Sequence, residues 1–250
     1  MIITSFGPQG YQDYARDFLT SFIEYWGDER LIVYCEQIEP DFPEDPRIEY
    51  RNMANEKVFR DFIDRIAASD PMFSGVMRNP NKPDEKTYNF RFDAGKFCRK
   101  VFAIYHCAQF RNTNEPLAWL DADVVFHRKL PVDYIRELLG GQAVAYLGRP
   151  NMYSECGFMA WDVEHHDFDL FMRLYWNVYR SGAFRMLSEW HDCQVFDIVR
   201  ETLGVSSRNL AKGCDPNHPF VYSCLGMYCD HKKGARKAMD ESPERKEIPA

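Results

Sequence analysis

The chain has 250 residues, a length that suffices for a sizeable hydrophobic core. Of these residues, 15% are aromatic and 28% are charged. The formal net charge of −7 at pH 7 disfavours a nucleic-acid binder that works through a general basic field, but it is compatible with a local basic groove. There is no run of eighteen apolar residues and no basic start followed by a long apolar run, so we expect a cytoplasmic protein without a membrane span or a signal peptide.

The beginning of the chain predicts a βαβ unit. The apolar run at 1–6 is typical of a buried strand, and apolar residues recur at helical spacing over 11–23. A β-branched run at 31–36 predicts a second strand. A strand, a helix and a strand in so short a segment imply a parallel pair with a right-handed crossover, and therefore an α/β fold.

The remainder of the chain continues this alternation. A proline-rich loop with an edge strand near 47–53 follows the unit, and a polar loop is predicted over 77–90. Helices are predicted at 56–68, 92–110, 130–139, 168–180 and 192–204, and strands at 117–120, 142–148 and 157–163. We see no repeat and no low-complexity linker, so we expect a single domain over 1–240 with a mainly parallel sheet flanked by helices. The polar tail over 241–250 is expected to fray from Pro243 onwards.

The eight cysteines contain no C-x-x-C pair. No zinc ribbon or thioredoxin-like motif is therefore predicted. Without a secretory signal, the even count does not indicate a disulfide framework, and we expect reduced, mostly buried thiols.

Asp121 and Asp123 follow the apolar strand at 117–120, one residue apart. In an open parallel sheet, ligands gather beyond the carboxyl ends of the strands, so both carboxylates are expected at the entrance of a site. Such a pair suits Mg²⁺ or Mn²⁺ carrying the phosphates of a substrate. A solvated turn is the alternative interpretation, and the strand ahead of the pair favours the site.

An H-x-x-G-x-x-K pattern, formed by His231, Gly234 and Lys237, lies near the end of the chain. The histidine offers a nitrogen ligand that Mn²⁺ accepts. The glycine permits close backbone approach to a phosphate, and the lysine neutralises one. Alone, the pattern is typical of a solvated basic segment; together with the D-x-D it favours a site for a metal and a phosphate ligand.

These motifs resemble those of nucleotide-sugar-dependent glycosyltransferases of the GT-A fold, in particular the family 8 type and small bacterial and phage transferases. The resemblance rests on the segments WLDADV, SECGF, EWHD and DHKKGARK and extends from residue 1 to about 240. It implies a Rossmann-like sheet, Mn²⁺ or Mg²⁺ bound by Asp121, Asp123 and His231, and a donor diphosphate near Asp121, Gly234 and Lys237. It also implies transfer with retention at the anomeric carbon.

The resemblance further indicates residues around the transferred sugar. The segment SECGF, with Gly157 expected at the donor, occupies the place of a polar N-S-G-like turn and departs from it at Glu155 and Cys156. The predicted catalytic residues are Asp192 and Gln194, on either side of a cysteine, and which of them faces the anomeric carbon stays open. As an alternative, Asp192 caps the helix predicted at 192–204.

Other residues are expected at the donor or the acceptor. Thr4 and Ser5 end the first strand, where the nucleoside is expected, with ordinary turn hydroxyls as the alternative. Lys96 and Lys100 share a helix face and are predicted to contact phosphate or base, with a solvated face as the alternative.

Trp190 and His191 form a predicted acceptor platform, because aromatic faces stack on sugars and bases. A core position is the alternative for Trp190.

The sequence is compatible with three functions. The first is transfer of a sugar from a nucleotide-sugar donor, expected to be a UDP-sugar, to a glycan or glycolipid. The second is the same transfer to hydroxymethylated bases of phage DNA, which would have to be flipped out of the duplex. The third is a metal-dependent nucleotidyltransferase or phosphohydrolase, which has no need of the late H-x-x-G-x-x-K. The sugar and the oligomeric state are not predicted.

Overall fold

A seven-stranded sheet runs through the protein. The computed structural model describes residues 1–67, 72–79, 82–112 and 114–247. Within these residues the strands are β1 (Ile2–Phe6), β2 (Leu31–Cys35), β3 (Ile48–Asn52), β4 (Val76–Asn79), β5 (Lys82–Tyr88), β6 (Leu117–Leu120), β7 (Val124–Phe126), β8 (Val144–Arg149), β9 (Met152–Trp161), β10 (Ser207–Asn209) and β11 (Cys229–His231). The α-helices are α1 (Pro8–Gly10), α2 (Arg16–Tyr25), α3 (Lys57–Ala67), α4 (Ala94–Gln109), α5 (Tyr134–Leu139), α6 (Phe168–Arg180), α7 (Asp192–Leu203) and α8 (Pro219–Tyr222).

The sheet order is β10-β8-β9-β6-β1-β2-β3, and the two short pairs β11-β7 and β4-β5 lie outside it. β9 runs antiparallel to both of its neighbours, whereas the other adjacent strands of the large sheet are parallel. The predicted α/β class, a mainly parallel sheet flanked by helices, is confirmed.

Both faces of the central strands are buried, which explains their uninterrupted apolar runs. Ile3 of β1 belongs to a core formed with α3, α4, α6 and α7, whereas its neighbour Ile2 belongs to a core on the other face with α2, α5 and α8. Successive side chains of a strand point to opposite faces, so one strand contributes to both cores. Burying a side chain such as Phe102 completely contributes about 1.5–3 kcal/mol.

The polar loop predicted over 77–90 is wrong for the described part of that range. β4 and β5 pair antiparallel there, with Val76 opposite Tyr88. Residues 80 and 81 lie outside the described residues. A two-stranded ribbon with polar side chains is held by backbone hydrogen bonds, which the side-chain pattern does not reveal.

The end of the described chain packs against the body of the protein instead of fraying. Ser242 is buried and its backbone N–H donates to Asp230 Oδ2 at 2.7 Å. A 3₁₀ turn at Pro243–Glu247 follows, and the Arg245 guanidinium lies 2.6 Å from His127 Nδ1. Among the described helices, none has the length and apolar character that a membrane crossing requires.

Candidate functional site

The carboxyl ends of β1, β2 and β6 border a cavity of about 1290 Å³. Eight of the predicted site residues line it: Ser5, Lys96, Lys100, Asp121, Asp123, Gly157, Gly234 and Lys237. The predicted residues His191 and Asp192 line it as well. The strand ends therefore bring the two sequence motifs to one cavity, as open parallel sheets generally do with their ligands.

Asp121 and Asp123 lie in a tight turn directly after β6. The backbone N–H of Asp121 donates to the carbonyl of Gly157 at 3.0 Å, and the N–H of Val124 donates to the Asp121 carbonyl at 3.1 Å. Val124 begins β7, which pairs with β11 in a register that sets Val124 opposite His231. This pairing carries His231 to the aspartates although it lies more than a hundred positions later in the chain.

The three side chains form a candidate metal centre. His231 Nε2 lies 3.0 Å from Asp123 Oδ1 and 3.7 Å from Asp121 Oδ2. One ligand atom from each residue lies within 4.8 Å of the others. His231 Nδ1, the other ring nitrogen, is buried without a hydrogen bond. Two carboxylate oxygens and one imidazole nitrogen fit a divalent ion such as Mn²⁺.

The surrounding charges keep Asp123 ionised. Burial alone would raise its pKa, but the neighbouring His231 and Lys237 hold the pKa of this carboxyl well below its usual range. Lys237 Nζ lies 3.0 Å from Asp123 Oδ2. An ionised carboxylate is the form that ligates a metal.

Lys100 is a buried cation that links two parts of the site. Its Nζ lies 2.9 Å from Asp121 Oδ1 and 2.9 Å from Asp192 Oδ2, and it donates to the carbonyl of Cys156. The indole Nε1 of Trp119 donates to Asp121 Oδ1 at 2.7 Å. Asp121 is thus oriented by two donors before any ligand binds, which is the usual role of groups behind a metal ligand.

The segment after β11 supplies the basic edge of the cavity. Lys237 Nζ lies 3.9 Å from the centre of the Tyr14 ring. Gly234 begins a 3₁₀ turn at Gly234–Ala238 with a φ of +62°, a conformation that glycine adopts at low cost. A phosphate that enters this corner would meet an ammonium group and an unobstructed backbone.

Glu155 and Gly157 on β9 lie next to the His231 ring. Glu155 Oε1 lies 3.9 Å from His231 Nδ1, and the carboxylate pairs with Lys233. Burial alone would raise the pKa of Glu155, but His231 and Lys233 lower it to about 2. A Cβ atom on Gly157 would lie 2.5 Å from His231 Cε1, so the glycine leaves room for the imidazole. The proximity of Glu155 to His231 could not be predicted from the sequence, because it depends on the strand pairing.

Four of the predicted residues do not line the cavity: Thr4, Trp190, Gln194 and His231, the last of which is buried next to Asp123. Thr4 is fully buried, and Trp190 packs against Phe92 and Phe184 in the core. Gln194 is buried too, where its amide accepts from the backbone N–H of Glu189 at 2.8 Å. The structure therefore gives Trp190 the core position that was the alternative interpretation.

The start of α7 differs from the predicted cap. His191 is the N-cap residue, and its Nδ1 accepts from the backbone N–H of Gln194 at 3.2 Å. Asp192 is the first helical residue instead. It is 2% exposed and pairs with Lys100, so its carboxylate faces this lysine and does not cap the helix backbone.

Two glycosyltransferases are among the solved structures that are similar to this chain. Mouse xyloside xylosyltransferase 1, in its apo form, is 10% identical over 84% of both chains, with a TM-score of 0.49. A glycosyltransferase involved in the glycosylation of the major capsid of PBCV-1 is 13% identical over 94% of this chain and 95% of that one, with a TM-score of 0.49. No protein-family model and no curated protein matches the chain. The function of this chain is therefore inferred from its own residues.

Proposed function

We propose that this protein is a metal-dependent glycosyltransferase. It takes a nucleotide-sugar donor, expected to be a UDP-sugar, and passes the sugar with retention to a glycan or glycolipid. The observation that supports this most strongly is the meeting of Asp121, Asp123 and His231 beside Lys237, at the strand ends that border one large cavity. Two carboxylates, an imidazole and an ammonium match the needs of a divalent ion and a diphosphate.

Asp121, Asp123 and His231 hold the Mn²⁺ or Mg²⁺. When bound, the ion supplies Lewis-acid stabilisation of the charge that develops on the leaving diphosphate. Lys237 adds a positive charge on the same side, and Gly234 lets the backbone approach the phosphates. These groups act on the leaving group and so stabilise the transition state more than the bound donor.

The nucleoside end of the donor lies beyond β1 and β2. Ser5 Oγ donates to Glu36 Oε1 at 3.3 Å, and both residues line the cavity together with Gly7. Tyr14 also lines the cavity, where its ring lies next to Lys237 Nζ. Burial, and then the charges of Asp123, Asp121 and Glu36, raise the pKa of Tyr14 above its ordinary value. Its ring offers an apolar face to a base.

Asp192 lines the sugar subsite. Its carboxylate is fixed by Lys100, which also holds Asp121, so the spacing between the metal side and the sugar side is set by one buried ammonium. An ionised carboxylate in this position stabilises positive charge at the anomeric carbon while the bond to the diphosphate breaks. Gln194 serves this arrangement indirectly, since it holds Glu189 and Ser188 at the start of the helix.

The described C-terminal segment does not favour the DNA acceptor. Lys233 and Arg236 pair with Glu155 and Glu244, and both line the cavity together with Lys237. Their positions favour the proposed donor diphosphate over the phosphate backbone of a nucleic acid.

Calorimetric titration of a panel of nucleotide sugars, with and without Mn²⁺, tests the proposal. We expect one UDP-sugar to bind only in the presence of the metal, and the same donor to be hydrolysed slowly without an acceptor. Asp123→Asn abolishes this binding, whereas Asp133→Asn, a change at an exposed aspartate in a left-handed conformation that asparagine tolerates, preserves it. If no donor binds and a nucleoside triphosphate or a phosphoester is turned over instead, the nucleotidyltransferase or phosphohydrolase alternative replaces the proposal.

A further inference from the structure

Two cysteines lie side by side in the wall of the cavity. Cys156 belongs to β9 and Cys193 to the first turn of α7, and both line the cavity. Their sulfur atoms and a carboxylate oxygen of Asp192 all lie within 4.8 Å of one another. Cys156 is buried, whereas Cys193 is half-buried. A reagent that enters the cavity therefore meets Cys193 first, with a second thiol directly behind it.

The two thiols differ in acidity. Hydrogen bonds with the Cys156 thiol, and further with the His191 ring, hold the pKa of Cys193 below its usual value although burial opposes this. Burial raises the pKa of Cys156 well above its usual value. The thiolate is the nucleophilic form of cysteine, so Cys193 is the attacking member of the pair and Cys156 keeps its proton.

A metal ion bound by this cluster is less compatible with its surroundings. Asp192 Oδ2 is paired with Lys100 at 2.9 Å. The carboxylate thus already has a cation, and burial favours the protonated form of Cys156, whereas a metal binds thiolates. The remaining chemistry of two neighbouring thiols, one of them the more accessible and the more acidic, is oxidation.

We propose that Cys193 is a modification site, whose thiolate reacts with a hydroperoxide, and that Cys156 then closes a disulfide with it. In the first step the Cys193 thiolate attacks the hydroxyl oxygen of the peroxide ROOH, an S–O bond forms and the O–O bond breaks. The departing alkoxide RO⁻ takes up the proton that the Cys193 thiol has released, and it leaves as the alcohol ROH. In the second step the Cys156 sulfur attacks the sulfenic acid, the S–S bond forms and the S–O bond breaks. Water leaves with the Cys156 proton. Two thiols lose two electrons, and the peroxide gains them.

Closure of the pair changes the site around it. The two sulfurs must approach to about 2.05 Å, which draws the start of α7 and β9 together. Cys156 supplies the carbonyl that accepts from Lys100, and Asp192 adjoins Cys193 in the chain. Oxidation therefore displaces the Lys100–Asp192 pair. That the displacement lowers donor binding rests on the proposed function, whereas the thiol chemistry does not.

The proposal is tested by mass spectrometry of the whole chain. In a short pulse of iodoacetamide, we expect Cys193 to be labelled at least tenfold faster than Cys214, a half-buried thiol outside the cavity whose Sγ donates to the Tyr222 carbonyl at 3.2 Å. After hydrogen peroxide, a peptide map of the wild type contains the Cys156–Cys193 disulfide, and dithiothreitol removes it. Cys156→Ser stops at the sulfenic acid, which dimedone traps.

Cys214→Ser is the matched control, and it preserves both the rapid labelling and the disulfide. Equal labelling rates at Cys193 and Cys214, or a peroxide-treated wild type without the Cys156–Cys193 bond, would overturn the proposal. The wild-type map gives this answer even if Cys156→Ser does not fold. Donor titration of the oxidised protein is a separate measurement, so a protein that forms the disulfide but binds no donor contradicts only the proposed function.

Discussion

Lys100 and Asp192 form an ion pair of 2.9 Å in which the aspartate side chain is 2% exposed and the lysine side chain 11% exposed. Burial alone would lower the pKa of Lys100, but the carboxylates of Asp121 and Asp192 raise it well above its usual value. The lysine therefore stays charged inside the protein. Two carboxylates on different elements depend on this one cation, so its loss affects stability as well as the site.

Replacing Lys100 with methionine is expected to lower the free energy of unfolding by about 3–5 kcal/mol, because it leaves a buried carboxylate without its partner. Urea denaturation followed by circular dichroism measures the change. Lys96→Met, at an exposed position one turn earlier on the same helix, changes the stability by less than about 0.5 kcal/mol. Adding Asp192→Asn to Lys100→Met restores part of the loss. A Lys100→Met protein as stable as the wild type would contradict a structural role for the pair.

Trp119→Phe tests the orientation of Asp121, a proposed metal ligand. The change removes the indole N–H that donates to Asp121 Oδ1 at 2.7 Å and keeps most of the apolar ring. Loss of such a supporting hydrogen bond typically lowers metal affinity by about 10–100-fold. Calorimetry with Mn²⁺ measures this. Trp26→Phe is the control, since the Trp26 Nε1 has no hydrogen-bond partner, and it leaves the affinity unchanged. Equal affinities in the two variants would show that the indole does not orient the ligand.

Gly157→Ala tests the space reserved for His231. The added Cβ would lie 2.5 Å from His231 Cε1 and 2.7 Å from Nδ1, so the imidazole must move away from the aspartates. We expect the protein to lose measurable Mn²⁺ binding and about 1–3 kcal/mol of stability, as overpacked interiors generally do. Gly27→Ala, whose Cβ would meet only Glu29 Oε2 at an ordinary 3.5 Å, retains both. Unaltered Mn²⁺ affinity in Gly157→Ala would mean that His231 is not a ligand.

The lowered pKa of His127 predicts that the stability of the fold depends on pH. Burial, and then the neighbouring Arg245, lower the pKa of His127 to about 4 in the folded protein, whereas the unfolded value is about 6.5. The unfolded chain therefore binds more protons between these two values, and this contribution to the unfolding free energy falls as the pH is lowered from about 6.5 to about 4. Because His127 is only half-buried, we expect roughly 1–2 kcal/mol after solvent screening.

His127→Asn isolates this contribution. The asparagine side-chain oxygen takes over as acceptor for Arg245, which lies 2.6 Å from Nδ1, and it does not titrate. Urea denaturation at a series of pH values should give a shallower decline for the variant than for the wild type between about pH 6.5 and 4. Parallel curves over this interval would show that His127 titrates alike in the folded and unfolded chains.

The positions of the two motifs could be predicted because each depends on local sequence. An apolar strand followed by Asp121 and Asp123 indicates a strand end, and the regular spacing of His231, Gly234 and Lys237 indicates one binding segment. The sequence could not predict how they meet. β7 and β11 have three residues each, too few for a periodic pattern, and they pair across most of the C-terminal half of the chain.

The predicted residues that do not line the cavity also have a physical explanation. Thr4 and Ser5 are neighbours with similar hydroxyl side chains, yet successive strand residues point to opposite sides, so only Ser5 reaches the cavity. Trp190 and His191, just before α7, likewise face different surroundings: Trp190 packs in the core and His191 lines the cavity. Side-chain type alone does not determine which member of such a pair faces a ligand, because the answer depends on the register of the surrounding elements.

The β7–β11 ribbon lies outside the seven-stranded sheet, so it can open without the sheet opening. Strand β11 ends at His231, a proposed metal ligand, and Asp123, which is another, immediately precedes β7. An ion that binds both residues favours the closed ribbon by its own binding free energy. Amide hydrogen exchange at 124–126 and 229–231 should then slow in proportion to metal occupancy while the exchange of β1 and β2 stays constant. The exchange rate of these few amides would therefore report the occupancy of the proposed metal site.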